Sequence, residues 1–263
     1  MRAIYTAATG MAAQELTVQV ISNNIANQQT TGYKLQRAQF QDLLYQNLRR
    51  TGSSTSTQNT IVPAGIQIGS GVKLATTARN MSQGTISSSG KDYDLAIRGE
   101  GMFKIRMPDG SAAYTRDGSF ELDSTGQIVT HDGYVLEPGV TVPTNATSVT
   151  ISAAGVVQVG VTGQTALQTL GTVQLSRFIN KAGLDSIGDN LFIETAASGQ
   201  PIDGTPTGEG FGSLQQGFLE ASNVNAVTEI SSLIAAQRAY EMNSKVVTAA
   251  DAMLSTTTQM FRS

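Results

Sequence analysis

The chain has 263 residues, 40% of them hydrophobic, 14% charged and 6% aromatic, against about 25% charged in an average soluble domain, so Ser, Thr, Asn, Gln and Gly must cover much of the surface. A net charge of −3 leaves no global positive field to hold a phosphate backbone, and nucleic acid is not an expected partner. With no cysteine and a single histidine, His131, the chain can form no disulfide, zinc–thiolate site, iron–sulfur cluster, thiol nucleophile or multi-histidine metal site. Neither a cofactor nor an enzymatic activity is expected.

Glycine and proline divide the chain. Residues 1–50 hold two of the 27 glycines, residues 223–263 hold none, and all six prolines fall between 63 and 206. The two ends read as helix and the middle does not. Residues 51–222 carry nine basic and fifteen acidic side chains, which makes this stretch the distinctly acidic one.

Near the start, Ile4, Met11, Val18 and Ile25 recur every seven residues, with Ala7, Gln14 and Ile21 at the offset of three. This is the seam of a coiled coil, and it predicts a helix over about residues 3–27, some 37 Å long. Asn27 and Gly32 supply its stop signal. No basic, then apolar, then small-residue leader opens the chain and no window has the ~18 apolar residues of a membrane span. The expectation is a chain without an integral membrane segment, exported without a cleaved signal if it is exported.

Residues 46–84 read as an extended linker. Thr51–Asn59 is a polar low-complexity run, but Ile61, Val62, Ile66, Ile68, Val72 and Leu74 are apolar enough to form a hairpin once neighbours give them something to pack on. From about 85 to 220 the pattern is short strands separated by turns: Asp94–Arg98, then Gly101–Met107 ending at Pro108-Asp109-Gly110, then Ser119–Asp123 ending at Ser124-Thr125-Gly126. Further strands are expected near 127–130, 134–137, 147–152, 156–161, 171–178 and 190–194. Such spacing indicates an all-β sandwich or barrel-like module.

At the other end, Leu233, Tyr240, Val247, Leu254 and Phe261 again recur every seven residues, and Ala236, Asn243, Ala250 and Thr257 form the second seam position. A helix capped by Ser222 or Asn223 would be about 58 Å long. Neither helix buries enough by itself, so the two termini are expected to pack together and against neighbours. The fold class expected is therefore α+β: long terminal coiled-coil helices at 1–45 and 221–263, a linker hairpin at 46–84 and an all-β module at 85–220.

Catalytic chemistry finds little purchase. Asp92 with Asp94, and Glu121 with Asp123, have the spacing of acids sharing a strand face, but turn-flanking carboxylates in an acidic β module account for them. Gly99-Glu-Gly-Met-Phe begins like a phosphate loop yet lacks the third glycine and the following helix, so it reads as a turn or bulge. His131, beside Asp132-Gly133, sits in a hairpin turn.

Three groups of residues carry a family resemblance: Ala7-Ala-Thr-Gly-Met-Ala-Ala-Gln with Ile21-Ser-Asn-Asn-Ile-Ala-Asn and Thr31-Gly-Tyr-Lys; then Asp94–Phe103 with Tyr114-Thr-Arg-Asp-Gly-Ser-Phe; then Gly217–Asn225 with Ala236–Lys245. Together they resemble the axial proteins of the bacterial flagellar rod and hook over essentially the whole chain. By length and by Gly65-Ile-Gln-Ile-Gly-Ser-Gly-Val, the chain is most similar to the branch that builds the distal part of the rod. The resemblance implies a structural subunit exported through the flagellar type III apparatus and polymerised in the periplasm into a rigid hollow helical shaft that transmits torque and passes export substrates. It implies as partners further copies of the chain, the proximal rod proteins, the hook protein and hook cap, and a surrounding P- and L-ring bushing. Contacts between copies are then expected at Ile4, Met11, Val18, Ile21, Ile25, Leu233, Tyr240, Val247, Leu254 and Phe261. Ile61, Val62, Ile66, Ile68 and Val72 would make the stiffening contacts of the linker.

Overall fold

The structure, a computed structural model, describes residues 2–49, 51, 64–161 and 166–260. The chain is α+β, with one helix at each end and strands between. Its contacts divide it into two compact units: Met1–Ile25, Gln36–Ala78 and Ala226–Ser263 form the first, and Ala26–Leu35 with Arg79–Asn225 form the second.

The first unit contains α1 (Arg2–Ala26), α2 (Ala226–Met260) and four strands. The helices have 25 and 35 residues, about 37 and 52 Å of rise. They run antiparallel and touch at two levels. Asn24 Nδ2 donates to Glu229 Oε2 at 3.0 Å, and a Cβ added at Gly10 would lie 2.9 Å from the Asn243 amide nitrogen. Fourteen residues separate the two contacts on each helix, so equal rise carries one register through both. Ala7 and Ile21 on α1, and Ala236 and Ala250 on α2, are the buried apolar side chains of the pair.

The strands of this unit are β1 (Gln36–Asp42), β2 (Tyr45–Arg49), β3 (Ile66–Gly69) and β4 (Val72–Arg79). β1 pairs with β4 and β2 with β3, the latter antiparallel with Gln46 opposite Ile68 and Arg49 opposite Ile66. They make an extended two-stranded ribbon. It begins at Gln36, well before the hairpin expected from the apolar residues after 60. Along β1, half-buried Gln36, Ala38 and Phe40 alternate with exposed Arg37 and Gln39, a period of two that is faint because only two of the inward residues are apolar. Gly71, at φ +116°, leaves its bend open to α1: the Thr9 hydroxyl lies where a side chain would be and accepts from Val72 N at 3.4 Å.

The second unit holds sixteen strands among its described residues: β5 (Ile86–Ser88), β6 (Leu95–Arg98), β7 (Met102–Arg106), β8 (Ala112–Thr115), β9 (Phe120–Leu122), β10 (Ile128–Thr130), β11 (Val135–Leu136), β12 (Ala146–Ile151), β13 (Val156–Val161), β14 (Gln168–Thr172), β15 (Leu175–Arg177), β16 (Asp185–Gly188), β17 (Leu191–Ile193), β18 (Ile202–Gly204), β19 (Ser213–Gln216) and β20 (Phe218–Glu220). The main sheet runs β16-β17-β8-β7-β11-β10-β9, with β15 also on β7 and β18 on β15. This path is open at both ends, so among the described residues there is no closed barrel. A three-stranded meander β12-β13-β14 and the pairs β6–β19 and β5–β20 complete the unit.

One core joins these sheets. Leu95, Ile97, Phe103, Ile105, Phe120, Ile128, Ile151, Val157 and Leu175 cluster there, and Phe103 meets Phe120 edge to face at 5.1 Å and 89°, the arrangement ring quadrupoles favour. On the other face of β7 and β8, Met102, Tyr114, Phe178 and Phe192 form a smaller cluster. The alternation along β7 (Met102 to one side, Phe103 and Ile105 to the other) produces both.

The second helix starts at Ala226 rather than at Ser222 or Asn223. Asn223 has other work: its Oδ1 accepts from Leu35 N at 2.7 Å and its Nδ2 donates to Asn80 O and Ser82 O at 2.9 and 3.1 Å. A side chain so engaged cannot also cap the helix.

Candidate functional site

Two arrangements stand out, one in each unit. In the first, the helices and ribbon leave large apolar side chains in the open. Tyr5 is 61% exposed, Met242 61%, Met253 64%, Leu48 60% and Ile66 52%. Ile4, Met11, Val18 and Ile25 lie half-buried along α1, and Ile21 is buried. On α2, Leu233 and Val247 are half-buried while Tyr240 and Leu254 are exposed. Ile66 and Ile68 are exposed on β3, and Val72 is half-buried at the start of β4. Phe261, Ile61 and Val62 lie outside the described residues. A groove between the helices is lined by Val18 and Tyr240 with Glu15, Gln19, Gln237 and Glu241. Apolar surface of this extent is the mark of a docking face.

In the second unit, three sequence-distant segments meet in a buried polar junction. Lys34 lies in the turn-rich segment 27–35, Arg116 just past β8 and Glu220 at the end of β20. Glu220 accepts from Lys34 Nζ on one oxygen and from Arg116 Nε on the other, both at 2.6 Å, with side chains 1–7% exposed. Arg116 spends its remaining donors on main-chain carbonyls, reaching Ile97 O at 3.0 Å, Gly99 O at 2.6 Å and also Gly101 O. The Gly99-Glu-Gly turn therefore cradles a guanidinium with its carbonyls, the reverse of a phosphate loop, which offers N–H groups. Positive φ at Gly99 and Gly101 is what turns those carbonyls inward.

Burial alone would lift the Glu220 carboxyl, but the Arg116 charge, the Lys34 hydrogen bond and the Gly84 N–H together hold it below its ordinary range. Burial pushes the Lys34 ammonium down, against its hydrogen bond to Glu220. A cavity of about 110 Å³ beside the junction is walled by Met81, Phe178 and Phe192. Of the cations that line it, Lys34 and Arg116 share the Glu220 carboxylate, Lys181 pairs with Glu100, and Arg177 lies over the Phe211 ring at 5.5 Å. The arrangement ties chain segments together, and nothing in it is poised for proton transfer or nucleophilic attack.

The acid pairs weighed from spacing do not act as pairs. Asp94 is buried and Asp92 exposed, while Asp123 caps its own turn through Thr125 N. Among the described residues no cluster of three or more His, Asp or Glu could hold a metal ion, and no helix is long and apolar enough to cross a membrane. Sequence reasoning missed Asn24, Glu229, Lys34, Arg116 and Glu220. For Glu229 a signal existed, since it continues the seam of Ala236, Asn243 and Ala250 one heptad earlier.

One unit is a helix pair with open apolar faces and the other a β module tied together by an internal ion network, the features of a structural subunit. Comparison with known proteins agrees. Three family descriptions match: flagella basal body rod protein over residues 4–34, flagellar hook protein FlgE/F/G D1 domain over 96–159, and flagellar basal body rod FlgEFG protein C-terminal over 215–260. The chain is 55% identical to the flagellar basal-body rod protein FlgG of Caulobacter vibrioides over 99% of both chains. It is 49% identical to FlgG of Borreliella burgdorferi over 97% of this chain and 96% of that one, and 33% identical to the rod protein FlgF of Caulobacter vibrioides over 93% and 91%. The chain belongs to the flagellar basal-body rod protein family. Its role is that of a structural component of the flagellar rod.

Proposed function

We propose that the chain builds the distal part of the rod by polymerising into an open, straight, hollow helical shaft. The observation that carries this reading is the apolar surface left exposed on α1, α2 and the ribbon. Heterologous contacts between copies that do not close into a ring generate a filament. Copies pair through the heptad faces, at Ile4, Met11, Val18 and Ile25 and at Leu233, Tyr240, Val247, Leu254 and Phe261, as coiled coils of the inner core, while Ile21, expected on the same face, is already buried within the helix pair and supports that face from inside. The ribbon, through Ile61, Val62, Ile66, Ile68 and Val72, wedges against a neighbour and stiffens the shaft. Residues 1–45 and 221–263 then form the core, 46–84 the stiffening segment and 85–220 the outer sandwich-like layer.

Support for the distal position comes from residues 46–74 and from identity, 55% to FlgG against 33% to FlgF of one organism. The neighbours in this reading are proximal rod proteins below, hook protein and hook cap above, and the P- and L-ring bushing around an acidic outer layer. The site of assembly is the periplasm, reached through the type III export apparatus without a cleaved signal. Electron microscopy of the full chain at rising concentration tests the proposal. Open-ended straight tubes are expected, and closed oligomers or a persistent monomer would overturn it.

A further inference from the structure

The helix pair of the first unit has a feature that its apolar seam cannot explain. Ala236 and Ala250 sit two heptads apart on α2 with Asn243 between them, and the contact facing Asn243 is Gly10. Sliding α2 by one heptad would bring Ala236 or Ala250 to Gly10 in place of Asn243. Small residues fit one another equally well in either position, so the apolar packing discriminates poorly between registers.

The polar pair discriminates. Asn24 is 1% exposed and Glu229 7%, and their hydrogen bond spans the two helices. Asn24 cannot yield to a shifted partner, because its own side chain is clamped. Its Oδ1 accepts from Gln36 N at 3.0 Å and its Nδ2 donates to Gln36 O at 2.8 Å, as well as to Glu229. A one-heptad slide carries Glu229 to the level of Thr17 in one direction and beyond the end of α1 in the other, leaving the carboxylate without its amide. Buried polar groups at seam positions select register in this way, because the wrong register strands them.

We propose that the buried Asn24–Glu229 hydrogen bond is the register lock of the terminal helix pair, and that the register it sets makes the last turns of α2 project past α1 as the surface taken by a second copy of the chain. With Gly10 level with Asn243, Arg2 falls level with about residue 251. Ala250 is the last buried residue of α2, and every residue from 251 to 260 is exposed, Met253 and Leu254 among them. The overhang is about ten residues, or about 14 Å. A second copy is the occupant because the chain is a rod subunit whose proposed assembly is homopolymeric, on which this part of the inference rests.

The chain has no native cysteine, so disulfide trapping reads the register directly. Gly10→Cys with Asn243→Cys reports the observed register, and Gly10→Cys with Ala250→Cys a slide of one heptad, each scored on the monomer band of dilute full-length protein. With Asn24 and Glu229 in place, only the first pair should cross-link. In Asn24→Leu/Glu229→Leu, both pairs should cross-link with yields within about threefold of each other. Glu229→Gln still accepts the Asn24 amide and should retain the first cross-link alone, which keeps the test decisive if the double variant fails to fold. A single register in the leucine variant, or a second register in Glu229→Gln, overturns the lock. Met253→Ser/Leu254→Ser should keep the first cross-link while cutting sedimentable self-association at least tenfold. Undiminished association removes the overhang as the docking surface, whereas failure of the unsubstituted chain to associate counts against the assembly reading and leaves the lock standing.

Discussion

Arg116 donates its Nε to Glu220 Oε2 at 2.6 Å across 104 residues of sequence, and Lys34 reaches the other oxygen of the same carboxylate across 186. One acidic side chain thus pairs with two buried cations and joins three segments of the second unit. Glu220→Gln removes the charge and leaves both cations uncompensated, with an expected cost of about 3–5 kcal/mol, the range for breaking a buried ion pair from one side. The exposed pair Lys91–Glu121, 3.9 Å apart, should lose at most about 1 kcal/mol on Lys91→Ala. Urea unfolding of the full chain followed by fluorescence checks both; equal, small effects would mean that the junction is not structural.

The same carboxylate sets an acid limit. Its burial raises its affinity for a proton, but Arg116, Lys34 and the Gly84 N–H outweigh that and leave it below its ordinary value of 4.5 in the fold. A carboxyl lowered by folding contributes stability that is complete above its unfolded value and is lost as pH falls through the folded one. Asp117 runs the other way: burial raises it, against hydrogen bonds from Ser119, so it adds stability as the pH falls toward 3.8. Midpoints measured between pH 7 and 3 should therefore drop below about pH 4.5. The drop should flatten in Glu220→Gln and begin at higher pH in Asp117→Asn.

The Thr31-Gly-Tyr-Lys motif acquires a physical reason at Gly32. Its φ is +70°, its N–H donates to Glu220 O at 2.8 Å, and a Cβ there would stand 2.7 Å from Asp117 N. Neither main-chain neighbour can move cheaply, so Gly32→Ala should cost about 2–5 kcal/mol, from the left-handed conformation plus the clash. Gly90 has nearly the same φ, +73°, but nothing within 4 Å of its Cβ position, and Gly90→Ala should cost only about 1–2 kcal/mol. Thermal unfolding of the two variants separates conformation from contact.

The residues differ in what they disclosed. The seven-residue recurrence of Ile4 to Ile25 and of Leu233 to Leu254 made both helices legible, because helix periodicity is a local property. Gly110, Gly126 and Gly133 marked hairpin turns for the same reason. The ribbon strand at Gln36–Asp42 stayed hidden, since its inward face includes Gln36 beside Ala38 and Phe40. Lys34, Arg116 and Glu220 lay within the motifs that carried the resemblance, yet nothing local says that charges so far apart in the chain will share one site. Glu229 lies one heptad before Ala236 on the same seam, but only the antiparallel register shows that it meets Asn24.

Residues 46–74 carry the last expectation. Leu48, Ile66, Ile68 and Leu74 are 40–60% exposed on a two-stranded ribbon, and a ribbon of two strands is marginal without a surface to lie on. If that surface is a neighbouring subunit, the ribbon blocks sliding between neighbours in the shaft. Deleting 46–74 should then leave tubes that still form but curve or flex, with persistence length at least several-fold shorter in micrographs. Leu48→Ser/Ile66→Ser/Ile68→Ser is the gentler variant. Because these side chains are already largely in water, the monomer should change stability by at most about 0.5 kcal/mol per site, while the tubes lose stiffness as in the deletion. A straight, unchanged tube from either variant would show that stiffness resides in the helical core alone.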